Sequence, residues 1–409
     1  MTETAAEALL LEAVTAALHG RRLRWEPLSP ALWGELFRLA ETQKLLPLVA
    51  DALWDCPDGE AETVLSVGKR AAMGQVTLQA RKDAAFLPVY EGLRGAGIDV
   101  LVVKGSVCRS VWPNGALRIS SDEDLLVPPE QFAAACALLA EAGLAAVPGA
   151  DPAKAPEVGW RDPKGPLFLE LHKYLFAPDS GPFGLLQTVF SDVFSRARDY
   201  PLADGAVLRS LSPHDHLLYL LLHAMKHFIR SGFGLRQICD VGLWADAWRA
   251  EIDWPLLARQ TEAVHGRKFA AALFAAAARF GIALELPAPW DADAPDPEPL
   301  LRDLLEGGIY GSATRSRAHT ARITQNAVTA GRLGKRRSLR TALFPPVEDL
   351  AGDYPVLKAH PALLPLIWQK RLAQYLKRAA AAPDDSPMET LRLGKQRRAL
   401  LRAYGILED

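Results

Sequence analysis

The stretch "LVVKGSVCRSVWPNGALRISSDEDLLVP" (residues 101–128) places three acidic residues directly before an apolar run. The runs at 99–103 and 124–127 have the length and apolar character of short buried strands. One interpretation is a turn in which the acids are solvated. The apolar run that follows at once favours a different one, in which a strand begins at the acids and continues into a core.

Asp122 and Asp124 are two residues apart, so their side chains point to the same face of that strand, while Glu123 points to the other. Two carboxylates on one face repel each other unless positive charge lies between them. Divalent ions that prefer oxygen ligands supply this charge, and paired ions suit phosphoryl or nucleotidyl transfer. We therefore expect Asp122 and Asp124 to bind metal and Glu123 to be a surface or second-layer acid.

Two neighbouring features favour this interpretation. In "VVKGSV" a strand ends and a helix opens at Gly105 and Ser106, and exposed amides with a hydroxyl at a helix N-terminus suit a phosphate. In "LFLELHKYLF" Glu170 interrupts an apolar strand, where a carboxylate is costly unless it is paired or binds metal. An edge-strand glutamate that faces solvent remains the alternative for Glu170.

The composition of the whole chain is that of an ordinary globular protein. It has 409 residues, 49% hydrophobic and 23% charged, with a net charge of −1. No nucleic-acid partner is expected from this charge. Four scattered cysteines without a CxxC pair, and acids at the N-terminus where a signal peptide needs positive charge, predict a cytoplasmic location. No run of eighteen apolar residues occurs, so we expect no membrane span.

The spacing of apolar residues along the sequence predicts three regions. Residues 1–95 have helical spacing, with Ser29 as an N-cap before Pro30. Residues 96–210 alternate short apolar runs with one clear helix, which indicates a unit of strands and helices with a small sheet. Residues 211–409 are again predicted to be helical.

The Gly-Ser helix start, the Asp-x-Asp strand and the later isolated acid together resemble the nucleotidyltransferase fold of the polymerase-beta superfamily. Within it, "LVVKGS", "LRISSDEDLLV" and "LFLELH" resemble a bacterial family of uncharacterised nucleotidyltransferases, and "LLHAMKHFIRSGFGLRQICDVGLW" resembles the second block of that family. The resemblance implies an α+β fold, in which a small mixed-sheet nucleotidyltransferase core (96–210) is flanked by N-terminal helices and a helical C-terminal region that shapes the acceptor or nucleotide pocket.

The resemblance also implies roles for individual residues. Asp122 and Asp124 would bind Mg²⁺ or Mn²⁺, and Glu170 would be the third carboxylate, binding metal or deprotonating the attacking group. An NTP such as ATP would be the substrate, and a hydroxyl or phosphate on a small molecule, peptide or protein would accept the nucleoside monophosphate. The residues expected to contact phosphate are Gly105, Ser106, Lys104 and Arg118.

Other candidates are open to more than one interpretation. His223 and His227 lie at i and i+4 on one predicted helix face, with His216 seven residues before His223. They are either packed histidines or face the nucleotide opposite the carboxylates, and Arg236 and Asp240 on the following helix are candidates to pair with this face. The zincin spacing of His223 and His227 lacks the required glutamate.

Two further alternatives concern the activity of the protein and one basic segment. A sugar-transferring or catalytically silent nucleotide-binding protein of the same fold, acting through protein interaction, is the alternative to a nucleotidyltransferase. The segment 311–340, which includes Lys335, Arg336 and Arg337, has eight Lys or Arg residues and no acid. It is either a solvated segment or a site for an anionic partner.

Overall fold

A computed structural model describes the chain in segments, and the structural statements below concern these segments. They are residues 4–57, 62–149, 151–203, 205–230, 232–290, 295–307, 324–325, 328–329, 344–350, 354, 356–381 and 387–407. The basic run around Lys335 lies outside the described residues. The boundaries expected near 95 and 210 remain predictions.

The fold is α+β and is built around a small mixed sheet, as expected. Five strands pair in the order β1-β2-β5-β4-β3, with β2 and β5 parallel and the other pairs antiparallel. A second sheet consists of the antiparallel pair β6 and β7. The strands are β1 Leu101–Val103, β2 Glu123–Leu126, β3 Ala145–Ala146, β4 Glu157–Arg161, β5 Phe168–His172, β6 Arg198–Pro201 and β7 Val207–Ser210.

Helices precede and follow the sheet region. The helix expected at Gly105 is a single turn, which begins two residues after β1 ends. The described helices are α1 Ala5–Leu18, α2 Pro30–Thr42, α3 Leu46–Ala52, α4 Glu62–Gly95, α5 Gly105–Cys108, α6 Phe132–Glu141, α7 Pro213–Arg230, α8 Leu235–Ala247, α9 Trp254–Ala263, α10 Arg267–Ala278, α11 Glu298–Gly307, α12 Val347–Leu350, α13 Val356–Ala359, α14 Leu364–Ala381 and α15 Pro387–Ala403. None of them has the length and apolar character that crossing a membrane requires.

Local signals in the sequence explain where several helices begin. The Ser29 hydroxyl accepts a hydrogen bond from the Leu32 N–H at 3.3 Å, and Pro30 is the first residue of α2. The Ser212 hydroxyl does the same for the Asp215 N–H at the start of α7. Both caps satisfy a backbone donor that the helix itself leaves without a partner.

Helix α7 is a central element of the core. Its buried residues include most of its apolar side chains together with Asp215, His216 and His223. It packs against α8, α9 and α10, and its His216 side chain contacts the turn that follows β1. A helix that is buried almost all round must give its polar side chains partners or keep them neutral.

A buried ion pair joins the segment before β2 to α8. Arg118 and Asp240 form two hydrogen bonds of 3.0 and 2.7 Å, and the Trp112 indole donates to the same carboxylate at 2.9 Å. Arg118 is only 2% exposed. Burial opposes the charge of Asp240, but the Arg118 guanidinium outweighs it and lowers the pKa of Asp240.

This geometry bears on two expectations. Arg118 is committed to Asp240, so its position does not favour the expected contact with phosphate. The expected pairing of Arg236 and Asp240 with the histidine face of α7 stays a prediction. Asp240 binds Arg118 and also interacts electrostatically with His216, and the Arg236 guanidinium donates to the Ile119 carbonyl.

We predict that Arg118→Met lowers the free energy of unfolding by about 3–5 kcal/mol, because it leaves the Asp240 carboxylate buried without its cation. Adding Asp240→Asn should recover part of this loss, since the amide still accepts from Trp112. Urea unfolding measures both effects. Arg259→Met, at an exposed position, is the control and should change the value by about 0.5 kcal/mol or less. A similarly small loss in Arg118→Met would contradict the structural role.

Candidate active site

The strand register brings together residues that are distant in the sequence. Asp124 of β2 lies opposite Val103, the last residue of β1, and opposite Glu170 of β5. Lys104 follows Val103 directly, so it reaches the same point. The alternation of side chains also places His172 on the same face as Glu170. One end of the sheet therefore collects carboxylates, an ammonium and an imidazole.

Asp124 is the buried centre of this cluster. Its side chain is 2% exposed; one oxygen, Oδ2, lies 2.6 Å from the Lys104 ammonium, and the other, Oδ1, lies 3.1 Å from His172 Nε2. Burial raises the pKa of Asp124, but Lys104 and His172 outweigh it and hold the pKa well below its usual range. The carboxylate is therefore charged, and its two oxygens face two different cationic partners.

His172 connects three acids. Nε2 lies 3.1 Å from Asp124 and 3.6 Å from Glu170, and Nδ1 lies 3.3 Å from Glu157 on β4. Burial lowers the pKa of His172, but its hydrogen bonds with Asp124, Glu157 and Glu170 raise it well above the usual range. Sequence reasoning gave His172 no role. The signal was its position two residues after Glu170, because residues two apart share a strand face.

Asp124, Glu170 and His172 each offer one ligand atom within 4.8 Å of the other two. Asp124 and His172 are buried, and Glu170 is partly exposed, so the group opens toward solvent on the Glu170 side. Two carboxylate oxygens and an imidazole nitrogen are a donor set that fits a divalent ion. The residues at this end of the sheet therefore fit the metal that the sequence predicts, although with a histidine among the ligands.

Asp122 lies directly before β2 and is not one of the three convergent donors. Burial raises the pKa of Asp122; Lys104 lowers it, whereas the charges of Asp124 and Glu170 raise it further. These interactions place Asp122 in the electrostatic environment of the cluster. Its role as a metal ligand stays a prediction.

Of the two places expected for Glu123, at the surface or in a second layer, the surface position is wrong. Glu123 is buried, with 3% exposure. Its carboxylate accepts from the Ser106 N–H at 2.9 Å, the Arg109 guanidinium at 3.1 Å and the Ser120 hydroxyl at 2.7 Å. A Cβ at Gly105 would lie 2.3 Å from Glu123 Oε2, and Gly105 has φ +32°. This close approach needs glycine.

The same contact bears on the expected phosphate site at Gly105 and Ser106. The Ser106 amide already donates to Glu123, a carboxylate of this chain. Because α5 has only four residues, its N-terminus also has little dipole to offer an anion. The contact of Gly105 and Ser106 with phosphate stays a prediction. Lys104 is better placed than their amides to contact an anion at this end of the sheet.

Lys104 has an unusual backbone that orients its side chain. Its φ of 54° and ψ of −121° lie outside the regions that non-glycine residues prefer. The Lys104 N–H donates to His216 Nε2 at 3.1 Å, and His216 packs against the Trp244 ring with centroids 4.1 Å apart. Burial lowers the pKa of His216 to about 3, so the ring stays neutral and accepts this hydrogen bond. His216 thus supports the turn that presents Lys104 to Asp124.

His223 and His227 lie beside Lys104 on α7. His223 Nε2 is 3.4 Å from the Lys104 ammonium and 3.2 Å from His227 Nε2. Burial, reinforced by the charge of Lys104, lowers the pKa of His223 well below its usual range and that of His227 to about 3. Of the sequence-predicted residues, the structure therefore brings Lys104, Asp124, Glu170, His223 and His227 together, and places Arg118 in a separate ion pair.

Comparison with known proteins agrees with this arrangement. The sequence model of a family described as "Uncharacterised nucleotidyltransferase" matches residues 29–281, more than half of the chain. The matched span includes the five-stranded sheet, the carboxylate cluster and the histidines of α7. None of the curated proteins compared with the chain matches it.

We predict that Lys104→Met lowers the free energy of unfolding in EDTA by about 3 kcal/mol, because the buried Asp124 carboxylate loses its closest cation. A divalent ion should restore part of the loss, since it compensates the same charge. Chemical unfolding with EDTA and with Mn²⁺ measures both effects. Lys164→Met, at an exposed position, should differ from the unmodified chain by the same small amount with EDTA and with Mn²⁺. If the unfolding free energy of Lys104→Met were the same with EDTA and with Mn²⁺, a cation site at Asp124 would be contradicted.

We predict that His216 makes the protein less stable in acid. The unfolded chain binds a proton at His216 near pH 6.5 and the folded chain only near pH 3. This contribution is therefore fully present above pH 6.5 and is lost as the pH falls toward 3, by up to about 1.4 kcal/mol per pH unit.

His216→Gln should flatten this dependence, because an amide oxygen can accept the Lys104 N–H without titrating. Urea unfolding at several pH values between 7 and 4 is the measurement. His19→Gln, at an exposed position, should leave the slope as it is in the unmodified chain. An unchanged slope in His216→Gln would show that His216 is not the group that titrates.

Proposed function

This chain belongs to the uncharacterised nucleotidyltransferase family, and we propose that it transfers a nucleoside monophosphate from an NTP to a hydroxyl or phosphate of an acceptor, with Mg²⁺ or Mn²⁺. The observation that carries the proposal is the convergence of Asp124, Glu170 and His172 within 4.8 Å on neighbouring strands. Such a donor set at one end of a small mixed sheet has the composition that metal-assisted phosphoryl chemistry needs.

In the proposed reaction an acceptor oxygen loses its proton and attacks the α-phosphorus of the NTP. The bond from the α-phosphorus to the oxygen that bridges to the β-phosphate breaks, and pyrophosphate leaves with that oxygen. A bound divalent ion would supply Lewis acidity at the α-phosphate. Glu170 is partly exposed and lies beside the buried Asp124, which supports it as an ion ligand or as the acceptor of the proton.

The wall opposite the carboxylates is the proposed site for the phosphates. The Lys104 ammonium lies 2.6 Å from Asp124 and 3.4 Å from His223, so it stands between the acids and α7. Neutral His223 and His227 can donate N–H groups to phosphate oxygens without adding charge. Lys226 is a further cation near this wall, and burial lowers its pKa while the charge of Glu157 raises it.

The two-ion form of the mechanism requires Asp122 as well as Asp124. In it, one ion would use Asp124 Oδ1 with Glu170 and His172, and the other would use Asp122 with Asp124 Oδ2. Lys104 now binds Oδ2, so its ammonium would have to turn toward the triphosphate when the second ion enters. This step is part of the proposal, as is the acceptor pocket shaped by residues 211–409.

The proposal makes pyrophosphate release the first measurement. We predict that the protein releases pyrophosphate from at least one of the four common NTPs with Mg²⁺ or Mn²⁺, slowly with water and faster with an acceptor. An NTP labelled at the α-phosphate should place its label in the product. Asp124→Asn should lower the rate about 100-fold or more, because the buried ligand loses its charge.

Glu130→Gln is the matched control, because Glu130 is exposed and follows β2 by four residues. It should leave the rate unchanged. Nucleotide binding without pyrophosphate release from any NTP would favour a catalytically silent nucleotide-binding protein. Release of a sugar nucleotide's nucleoside diphosphate would favour sugar transfer. Full activity of Asp124→Asn would overturn the site assignment.

A further inference from the structure

The three convergent donors differ in kind, and this difference bears on which ion they select. Asp124 and Glu170 offer carboxylate oxygens, but His172 offers an imidazole nitrogen. Mg²⁺ prefers oxygen ligands in a strict octahedron, whereas imidazole suits divalent transition ions. One nitrogen among the ligands therefore shifts the preference away from Mg²⁺.

The distances agree with shared ligation of one ion. His172 Nε2 lies 3.1 Å from Asp124 Oδ1 and 3.6 Å from Glu170 Oε2. Ligands at about 2.1 Å from one ion are roughly 3.0 Å apart at right angles and roughly 3.4 Å apart in a tetrahedron. The two distances from His172 therefore fit shared ligation after movements of a few tenths of an ångström, with the Nε2 proton released to water.

Glu157 fixes which nitrogen of His172 faces the site. It lies opposite His172 in the β4–β5 register, and its Oε2 is 3.3 Å from His172 Nδ1. Metal-binding histidines commonly donate their other ring N–H to a carboxylate, which orients the ring and makes the ligating nitrogen more basic. Glu157 is not one of the three convergent donors, so it acts through His172 as a positioning residue.

Lys104 does not occupy the ion position between Asp124 Oδ1, His172 and Glu170. It binds Asp124 Oδ2, whereas Oδ1 faces His172. An ion at Oδ1 therefore does not need to displace the ammonium. The structure provides two cation positions on one buried carboxylate, one taken by Lys104 and one bordered by His172 and Glu170.

We propose that His172, held by Glu157, makes this site select a divalent transition ion, Mn²⁺, over Mg²⁺. The proposal rests on the proposed function only in using the same site, and ion binding tests it without turnover. The two oxygen ligands and the phosphate oxygens of an NTP favour Mn²⁺ within this class, since oxygen ligands suit Mn²⁺ better than the later transition ions.

The test uses the full chain, stripped with EDTA and loaded with one equivalent of Mn²⁺. Loss of the free Mn²⁺ signal in electron paramagnetic resonance gives the affinity, and competition with Mg²⁺ gives the selectivity. We expect Mn²⁺ to bind at least about tenfold more tightly than Mg²⁺. Electron spin echo modulation should show the ¹⁴N coupling of a directly bound imidazole, replaced by a ¹⁵N coupling when histidine is ¹⁵N-labelled.

Variants identify the histidine. His172→Gln places an amide oxygen near the position of Nε2, so the imidazole coupling should disappear and the preference for Mn²⁺ should shrink. Glu157→Gln should retain the coupling but weaken Mn²⁺ binding about 10-fold. His360→Gln, at an exposed position, should change neither the coupling nor the affinity.

The outcomes separate this proposal from the proposed function. Bound Mn²⁺ without imidazole coupling in the unmodified chain would overturn it, even if pyrophosphate is released. Equal affinities for Mg²⁺ and Mn²⁺, or a coupling that survives in His172→Gln, would do the same. Imidazole-coupled Mn²⁺ with the expected selectivity would support it even in the absence of transfer, in which case only the proposed function fails.

Discussion

The ion pair between Lys104 and Asp124 is the interaction on which the rest of the site depends. A carboxylate with 2% exposure at the start of a strand is costly unless a cation lies beside it, and the ammonium lies 2.6 Å away. To reach that position the chain turns sharply after β1, with a backbone that His216 supports from α7. One buried charge therefore couples the sheet, the turn after β1 and helix α7.

The three adjacent acids show how environment separates chemically similar groups. Asp124 is held charged between Lys104 and His172, whereas burial makes Asp122 a weaker acid. Glu123 faces the other way and binds the Ser106 amide, so it stabilises the turn that carries Lys104. A single tripeptide thus supplies a charged carboxylate, a neighbouring acid with a raised pKa and a structural anchor.

The sequence predicted what depends on local periodicity and missed what depends on distant partners. Short apolar runs predict the strands of the small sheet, whereas the α+β class and the grouping of Asp124 with Glu170 are what the family resemblance implies. The sequence gives Arg118 as a candidate phosphate ligand, because its partner Asp240 lies 122 positions later in the chain and only the fold brings the two side chains together. For Glu123 the sequence left a surface and a second-layer position open, because alternation gives a face but not what covers that face. His172 could have been found from its spacing to Glu170, since both follow the same alternation.

The site balances the charge of its buried carboxylate with side chains of this chain. Without an ion, the Asp124 carboxylate is balanced by Lys104 on one oxygen and by His172 on the other, and His172 is shared with Glu170 and Glu157. Under the proposed function, an entering divalent ion would take over the charge that His172 provides, and the imidazole would change from a hydrogen-bond donor into a ligand. The triphosphate would be anionic, so Lys104 would gain a second anion to neutralise. In that proposal both Lys104 and the buried Asp124 carboxylate would have an opposite charge beside them before and after the substrate enters.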